Sequence, residues 1–245
     1  MEIIRRHFPT IDSTNNWGKE HAHEFPHDKI TLITADTQTA GRGRFKRKWE
    51  SPPSQNIYAT FCFFIEKDAK NIGNIPQILA ISAAEILKKL NFNPRLKWPN
   101  DVLISDKKVA GILAETTVVG RMCMVLGIGL NVNMPPEILY KIDRPATSLM
   151  VESGRSFDKE MVLKELQDEF LKNLEIFFSK GFTPFLEIYR QYMPKDPNKI
   201  LRFHDNMMIW EGILHDINQD GSLRLKLSNG ELKTFIAGEI LWPGE

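Results

Sequence analysis

Residues 95–116 read RLKWPNDVLISDKKVAGILAET, and residues 121–136 continue as RMCMVLGIGLNVNMPP. Two strand-like runs are joined around Ser105 to Lys107, and a further strand follows that Pro135 and Pro136 stop. Successive antiparallel hairpins are the reading, and they set the class as α+β with a mostly antiparallel sheet. Strict strand alternation puts Lys108, Ala110 and Ile112 on one face and Val109, Gly111 and Leu113 on the other. Neighbouring Lys107 and Lys108 then point opposite ways, and one of them faces inward.

Upstream, IIRRHF (3–8) opens as a strand, and Asp12 or Ser13 caps a helix through WGKEHAHE (17–24). KITLITAD (29–36) and NIYATFCFFI (56–65) are strands, and IPQILAISAAEILKKL (75–90) has helical spacing with lysines at its C-terminal end. Downstream, a helix from Phe157 places Met161, Val162, Leu166, Phe170, Leu174, Phe177 and Phe178 on one face, and a second begins near Pro184. The prolines of YMPKDPNK (192–199) interrupt the pattern. Short strands with tight turns at NQDG (218–221) and SNGE (228–231) predict a small β-barrel. The expected division is a main domain of residues 1–195 and a barrel of residues 196–245.

With 32 Lys plus Arg against 31 Asp plus Glu, the net charge of +1 provides no global field for a polyanion. Positive charge is local instead: TAGRGRFKRKWESP (39–52) carries Arg42, Arg44, Lys46, Arg47 and Lys48 in succession. Glycines alternating with arginines allow tight folding around a ligand, and planar guanidiniums make forked hydrogen bonds to phosphate or carboxylate. No GxxxxGK[ST], HExxH, GxSxG or paired Cys/His spacing occurs, and His21, His23 and His27 read as surface histidines. Cys62 and Cys123 sit in apolar runs and read as reduced core residues. Without a signal-peptide pattern or a membrane-spanning apolar run, the expected location is cytoplasmic, with no membrane partner.

The GRGR loop, the KWPND turn and the KVAGIL strand, in that order, resemble the biotin protein ligase family. The likeness extends to DSTN (12–15), GIGLNVN (127–133) and AGEI (237–240). It implies a class II synthetase-like biotin/lipoate ligase fold with a C-terminal SH3-like β-barrel. It also implies an ATP-dependent reaction through biotinyl-AMP, with biotin, ATP and Mg2+ bound and a lysine of a biotin carboxyl carrier domain as acceptor. Carried over by position, Lys108, Arg42 and Arg44 are the catalytic cations. Ser13, Thr14, Asn15, Gln38, Gly43, Gly111, Gly127 and Gly129 join them at biotin. Arg44, Arg47, Trp49, Lys97, Asn100, Asp101 and Asn131 fall to ATP, with Asp101 nearest the metal.

Two departures stand out. Phe45 and Lys46 occupy places where the family pattern has arginine and glycine, and LWPGE (241–245) lacks an arginine that some members carry after AGEI. The chain begins at the ligase pattern, so the expectation is a monofunctional form without the DNA-binding domain of the repressor members. A homodimer stays open. Two rival readings are a lipoate ligase, whose RRxGGG-type loop is absent, and a nucleic-acid module using the basic run with Trp49 as a stacking platform.

Overall fold

The structure, a computed structural model, describes residues 2–66, 71–194 and 199–242. Strands β1 (Ile3–Ile11), β2 (Ile30–Gln38), β3 (Ile57–Ile65), β4 (Pro94–Lys97), β5 (Asp101–Ile104), β6 (Lys107–Val119) and β7 (Arg121–Leu130) form one sheet. Its order is β1-β2-β3-β7-β6-β5-β4. Only β1 and β2 pair in parallel; the other neighbours are antiparallel. The helices are α1 (Thr14–Glu20), α2 (Ile75–Lys89), α3 (Pro136–Leu139), α4 (Leu149–Ser153), α5 (Lys159–Lys180) and α6 (Thr183–Tyr192). A second, antiparallel sheet follows, consistent with an SH3-like unit. Its strands β8 (Ile200–His204), β9 (Ile209–Ile217), β10 (Leu223–Leu227), β11 (Leu232–Phe235) and β12 (Glu239–Ile240) run in the order β11-β10-β9-β8-β12.

Central β3, IYATFCFFI, is buried on both faces, which is why its sequence is a continuous apolar run rather than an alternation. Ala59, Phe61 and Phe63 belong to the large core with α2 and α5, where the rings of Phe61 and Phe170 have their centroids 4.9 Å apart. Cys62 faces the other way, into a smaller cluster with Ala22, Phe25, Ile33, Cys123 and Val125. Both cysteines are free and buried, and burial pushes the Cys123 thiol up to about 11. The helical layer thus covers one face of the sheet, and α1 covers part of the other.

Three details differ from the sequence reading. RLK is a strand of its own, because Trp98 to Asn100 turn the chain between the Lys97 and Asp101 pair of the β4–β5 hairpin. On α5, Val162, Leu166, Phe170, Leu174 and Phe177 are buried, whereas Met161 and Phe178 are 51% and 46% exposed. Each sits one residue from a core position, and a step of about 100° along a helix carries it to the flank. Strand β6 carries a bulge: Val102 pairs with Ala110 but Leu103 with Lys108, leaving Val109 unmatched. The extra residue breaks the expected alternation, so Lys108 shares the face of Gly111 instead of opposing it.

The expected boundary at residues 195 and 196 lies outside the described residues. On either side of it the packing is continuous. Phe203, Ile217, Leu223, Leu225 and Phe235 of the small sheet join the same core cluster as α2 and α6. Trp98 Nε1 and Gln77 Nε2 both donate to the Gly221 carbonyl, and Arg190 pairs with Asp216 at 2.6 Å. Among the described residues, no helix is long and apolar enough to cross a membrane.

Candidate functional site

A cavity of about 400 Å3 opens on the α1 face of the sheet, roofed by the basic loop and by β12. Every residue expected from the resemblance to hold biotin or ATP lines it, from Ser13 to Asn131. The inner end is polar. Ser13 caps α1 by accepting from Asn16 N, leaving Thr14 and Asn15 buried in the first turn. Gln38 Oε1 accepts from Thr14 N at 2.9 Å, and its Nε2 donates to Ser51 Oγ at 3.0 Å. Asn15 Nδ2 donates to the Leu113 carbonyl and to Glu115, while its Oδ1 accepts from Thr60 at 2.7 Å. These hydrogen bonds fix the orientation of both amides.

The glycines of β6 and β7 provide clearance for this chain's own side chains. A Cβ at Gly127 would stand 2.1 Å from Asn15 Oδ1, and one at Gly129 would stand 2.3 Å from the Trp49 ring. Gly111, paired with Gly129, faces Trp49 and the end of Lys108. Trp49 therefore lies flat against a glycine floor. Its Nε1 and the Nε of Arg42 are buried donors without a hydrogen-bond partner.

Each loop arginine meets a different element. Arg42 donates to Asn16 Oδ1 at 2.5 Å and to Glu115 at 3.1 Å. Arg44 donates to Asn100 Oδ1 at 3.3 Å and to the Gly238 carbonyl at 2.9 Å. Arg47 makes a two-pronged pair with Glu239, at 2.6 and 2.5 Å. Burial lowers the Arg44 pKa, opposed by the charges of Glu239 and Asp101. Burial alone would raise Glu239, but Arg47's hydrogen bonds and charge, with Arg144 and Arg44 adding, bring it below its ordinary value. Phe45, in the left-handed region with φ 55°, lies beneath both Arg44 and Arg47. The loop is closed by Gly43 N to the Arg47 carbonyl and Trp49 N to the Gly41 carbonyl.

Lys108 extends into the cavity and pairs with Asp101 at 2.6 Å, whereas Lys107 is exposed. The bulge that turns it inward is held by residues 145–147. Lys108 N donates to the Pro145 carbonyl, and Thr147 N donates back to the Lys108 carbonyl. Asn131, buried, donates from Nδ2 to the Thr147 carbonyl. Lys97 is nearly buried with its Nζ 3.7 Å from the centre of the Trp242 ring. Among the described residues no group of three His, Cys, Asp or Glu side chains gathers as a metal cage. Asp101, expected nearest the metal, lines the cavity with its carboxylate on Lys108.

Sequence reasoning missed Glu115, Glu239 and the segment 141–146, all of which complete the surroundings of the loop. AGEI had flagged the neighbourhood of Glu239. Nothing in spacing announces its partner, because Arg47 and Glu239 are 192 residues apart.

Residues 7–133 match the Biotin/lipoate A/B protein ligase family. The chain is 30% identical to the bifunctional ligase/repressor BirA of Salmonella typhimurium over 235 residues, covering 95% of this chain and 72% of that protein. It is 27% identical to the biotin--[acetyl-CoA-carboxylase] ligase of Paracoccus denitrificans, covering 86% of this chain and 90% of that one. The structure is similar to that of the biotin protein ligase from Aquifex aeolicus in complex with biotin and ATP. That match has a TM-score of 0.80 at 29% identity, over 98% of this chain and 97% of the other. With the motif residues gathered at one cavity, this chain belongs to the Biotin/lipoate A/B protein ligase family.

Proposed function

We propose that the chain is a biotin protein ligase. It joins biotin to ATP as biotinyl-AMP with release of pyrophosphate, and then passes biotin to a lysine of a biotin carboxyl carrier domain with release of AMP. The observation that carries this reading is the meeting of Arg42, Arg44, Arg47 and Lys108 at one cavity with a polar inner end. In the first step a carboxylate oxygen attacks the α-phosphorus, so two anions must approach. Preorganised cations lower that barrier with little covalent work by the protein.

In this proposal Ser13, Thr14, Asn15 and Gln38 take biotin's ureido head, and Lys108 lies between carboxylate and α-phosphate. Trp49, with its unpaired Nε1, and Asn131 take the adenine side. Lys97, Asn100 and Asp101 take the triphosphate with its magnesium. The cations are already paired with Asp101, Glu115 and Glu239, so an arriving anion exchanges partners with fixed charges rather than recruiting distant ones. Residues 1–195 form the ligase unit and residues 196–245 the small β unit, acting in the cytoplasm on a carrier domain.

The test is direct: incubation with ATP, magnesium, a carrier domain and either biotin or lipoate, followed by mass analysis of the carrier. Biotin on the carrier lysine is expected. Transfer of lipoate in its place would overturn the assignment. Against the nucleic-acid reading stands the pairing of Arg42 with Glu115 and of Arg47 with Glu239, which offsets part of the loop's charge within the protein.

A further inference from the structure

At the inner end of the cavity, α1 and the basic loop send three donors to one carboxylate. Asn15 Nδ2 from α1 reaches Glu115 at 3.1 Å, Lys19 Nζ reaches it at 2.7 Å, and Arg42 Nη2 from the basic loop reaches it at 3.1 Å. Asn15 and Arg42 line the cavity, and Glu115 stands behind them on β6. We propose that Glu115 is a positioning residue for the head of biotin, acting through Asn15 and Arg42 without touching the ligand; the proposal rests on the functional reading above.

Asn15 shows how. Its two ends differ chemically, and a flip would set Oδ1 against the Leu113 carbonyl and the Glu115 carboxylate, two acceptors without a proton to offer. Glu115 therefore selects the orientation in which Nδ2 points to β6 and Oδ1 points to Thr60 and the Gly127 clearance. For Arg42, Glu115 and Asn16 hold the guanidinium at the biotin end, while Arg44 and Arg47 are held by Gly238 and Glu239 at the other. One carboxylate thus divides the basic loop into a head-group arginine and a phosphate pair. Lys19 brings a second cation to the same carboxylate: burial alone would raise the Glu115 pKa, but the hydrogen bonds of Lys19 and Asn15 and the charges of Arg42 and Lys19 hold it below its ordinary value.

The experiment measures biotin binding by calorimetry and the steady-state parameters for biotin and ATP in wild type, Glu115→Gln, Glu115→Ala and Glu115→Asp. Loss of charge-assisted hydrogen bonds to both positioned groups should weaken biotin by about tenfold or more in Glu115→Ala. Glu115→Gln should fall between that variant and wild type, with the KM for ATP changed less than about twofold. Glu115→Asp should recover part of the biotin affinity. A merely structural role would lower the melting temperature and the active fraction without splitting the two KM values. Should Glu115→Ala fail to fold, Glu115→Gln, of nearly the same shape, carries the same measurement. Unchanged biotin affinity in a folded Glu115→Gln, or equal loss of biotin and ATP binding, overturns the proposal. If wild type itself binds no biotin, the functional reading falls and this assignment with it; if wild type binds and the variants match it, only this assignment falls.

Discussion

Lys108 and Lys107 are neighbours with opposite fates, and the cause is a single unmatched residue. The bulge at Val109 puts Lys108 on the cavity face with Gly111, next to Asp101, and leaves Lys107 in solvent. Lys108→Ala should therefore slow pyrophosphate release from biotin and ATP by roughly 100-fold to 1000-fold, the cost of one preorganised donor, while Lys107→Ala should run near wild-type rate. Equal losses at both would mean that the register placing the two lysines on opposite faces is wrong. The opposition of the two lysines was legible from alternation, but the face of Lys108 relative to Gly111 was not, because a bulge depends on the partner strand and on the Pro145 to Thr147 backbone that fills it. Arg44 bears on a later step. Its guanidinium spans from Asn100 to Gly238 across the cavity, so Arg44→Gly should weaken retention of biotinyl-AMP more than its formation. Mass spectrometry of an unrelated protein in the mixture reads this out: lysine biotinylation on the bystander is expected, and adenylate synthesis without it would mean that retention depends on other contacts.

The basic loop behaves as an element because carboxylates from two distant strands each pair with one of its arginines. Five cations in seven residues predict mutual repulsion when read from sequence alone. The structure pairs Arg42 with Glu115 on β6 and Arg47 with Glu239 on β12. Glu239 lies at the start of a two-residue strand, and the preceding Gly238, at φ 128°, has no room for a Cβ beside Phe203. The small sheet thereby presents a carbonyl and a carboxylate to the loop at a fixed place. Glu239→Gln should raise amide hydrogen exchange across residues 41–48 in the free protein, with exchange in α2 and β3 unchanged. Protection should return when biotinyl-AMP supplies a phosphate in place of the lost charge. Loop protection that ignores Glu239 would assign closure to the Gly43–Arg47 and Gly41–Trp49 backbone bonds alone. Most elements were legible in the sequence because their periodicity is a local property, as for α2 and β3. The loop's partners were not, since ion pairs across nearly the whole chain leave no local pattern, and α5's flank positions were misplaced because hydropathy does not report where a covered stripe ends.

Across the whole molecule, the two sheets share one core and are tied by charged pairs whose acid sensitivity has a definite sign. Burial opposes ionisation of Asp216, yet the hydrogen bonds and charge of Arg190 bring its pKa below the ordinary value, as Arg47 does for Glu239. A carboxylate with a lowered folded pKa contributes stability above its unfolded pKa and loses it as pH falls through the folded one. The melting temperature should hold between neutrality and about pH 5 and decline below about pH 4. Asp216→Asn should lower it at neutral pH and flatten the acid decline; an unchanged acid slope would move the effect to other carboxylates. Trp98 makes the same connection through packing. It is 3% exposed, its ring lies 5.7 Å from that of Phe203, and its Nε1 donates to the Gly221 carbonyl at 3.0 Å. It also leads directly into Pro99, Asn100 and Asp101, so the site's turn is anchored on the small sheet. Trp98→Ala should cost about 3–5 kcal/mol by cavity formation, and Trp98→Phe about 1 kcal/mol for the lost donor, since Gln77 still serves the Gly221 carbonyl. Because that core is common to both sheets, calorimetry of wild type and Trp98→Phe should give one transition each, at a lower temperature in the variant. Two resolved transitions in wild type would show that residues 1–195 and 196–245 fold independently, and that the anchoring of the KWPND turn on the small sheet is not what holds the site in shape.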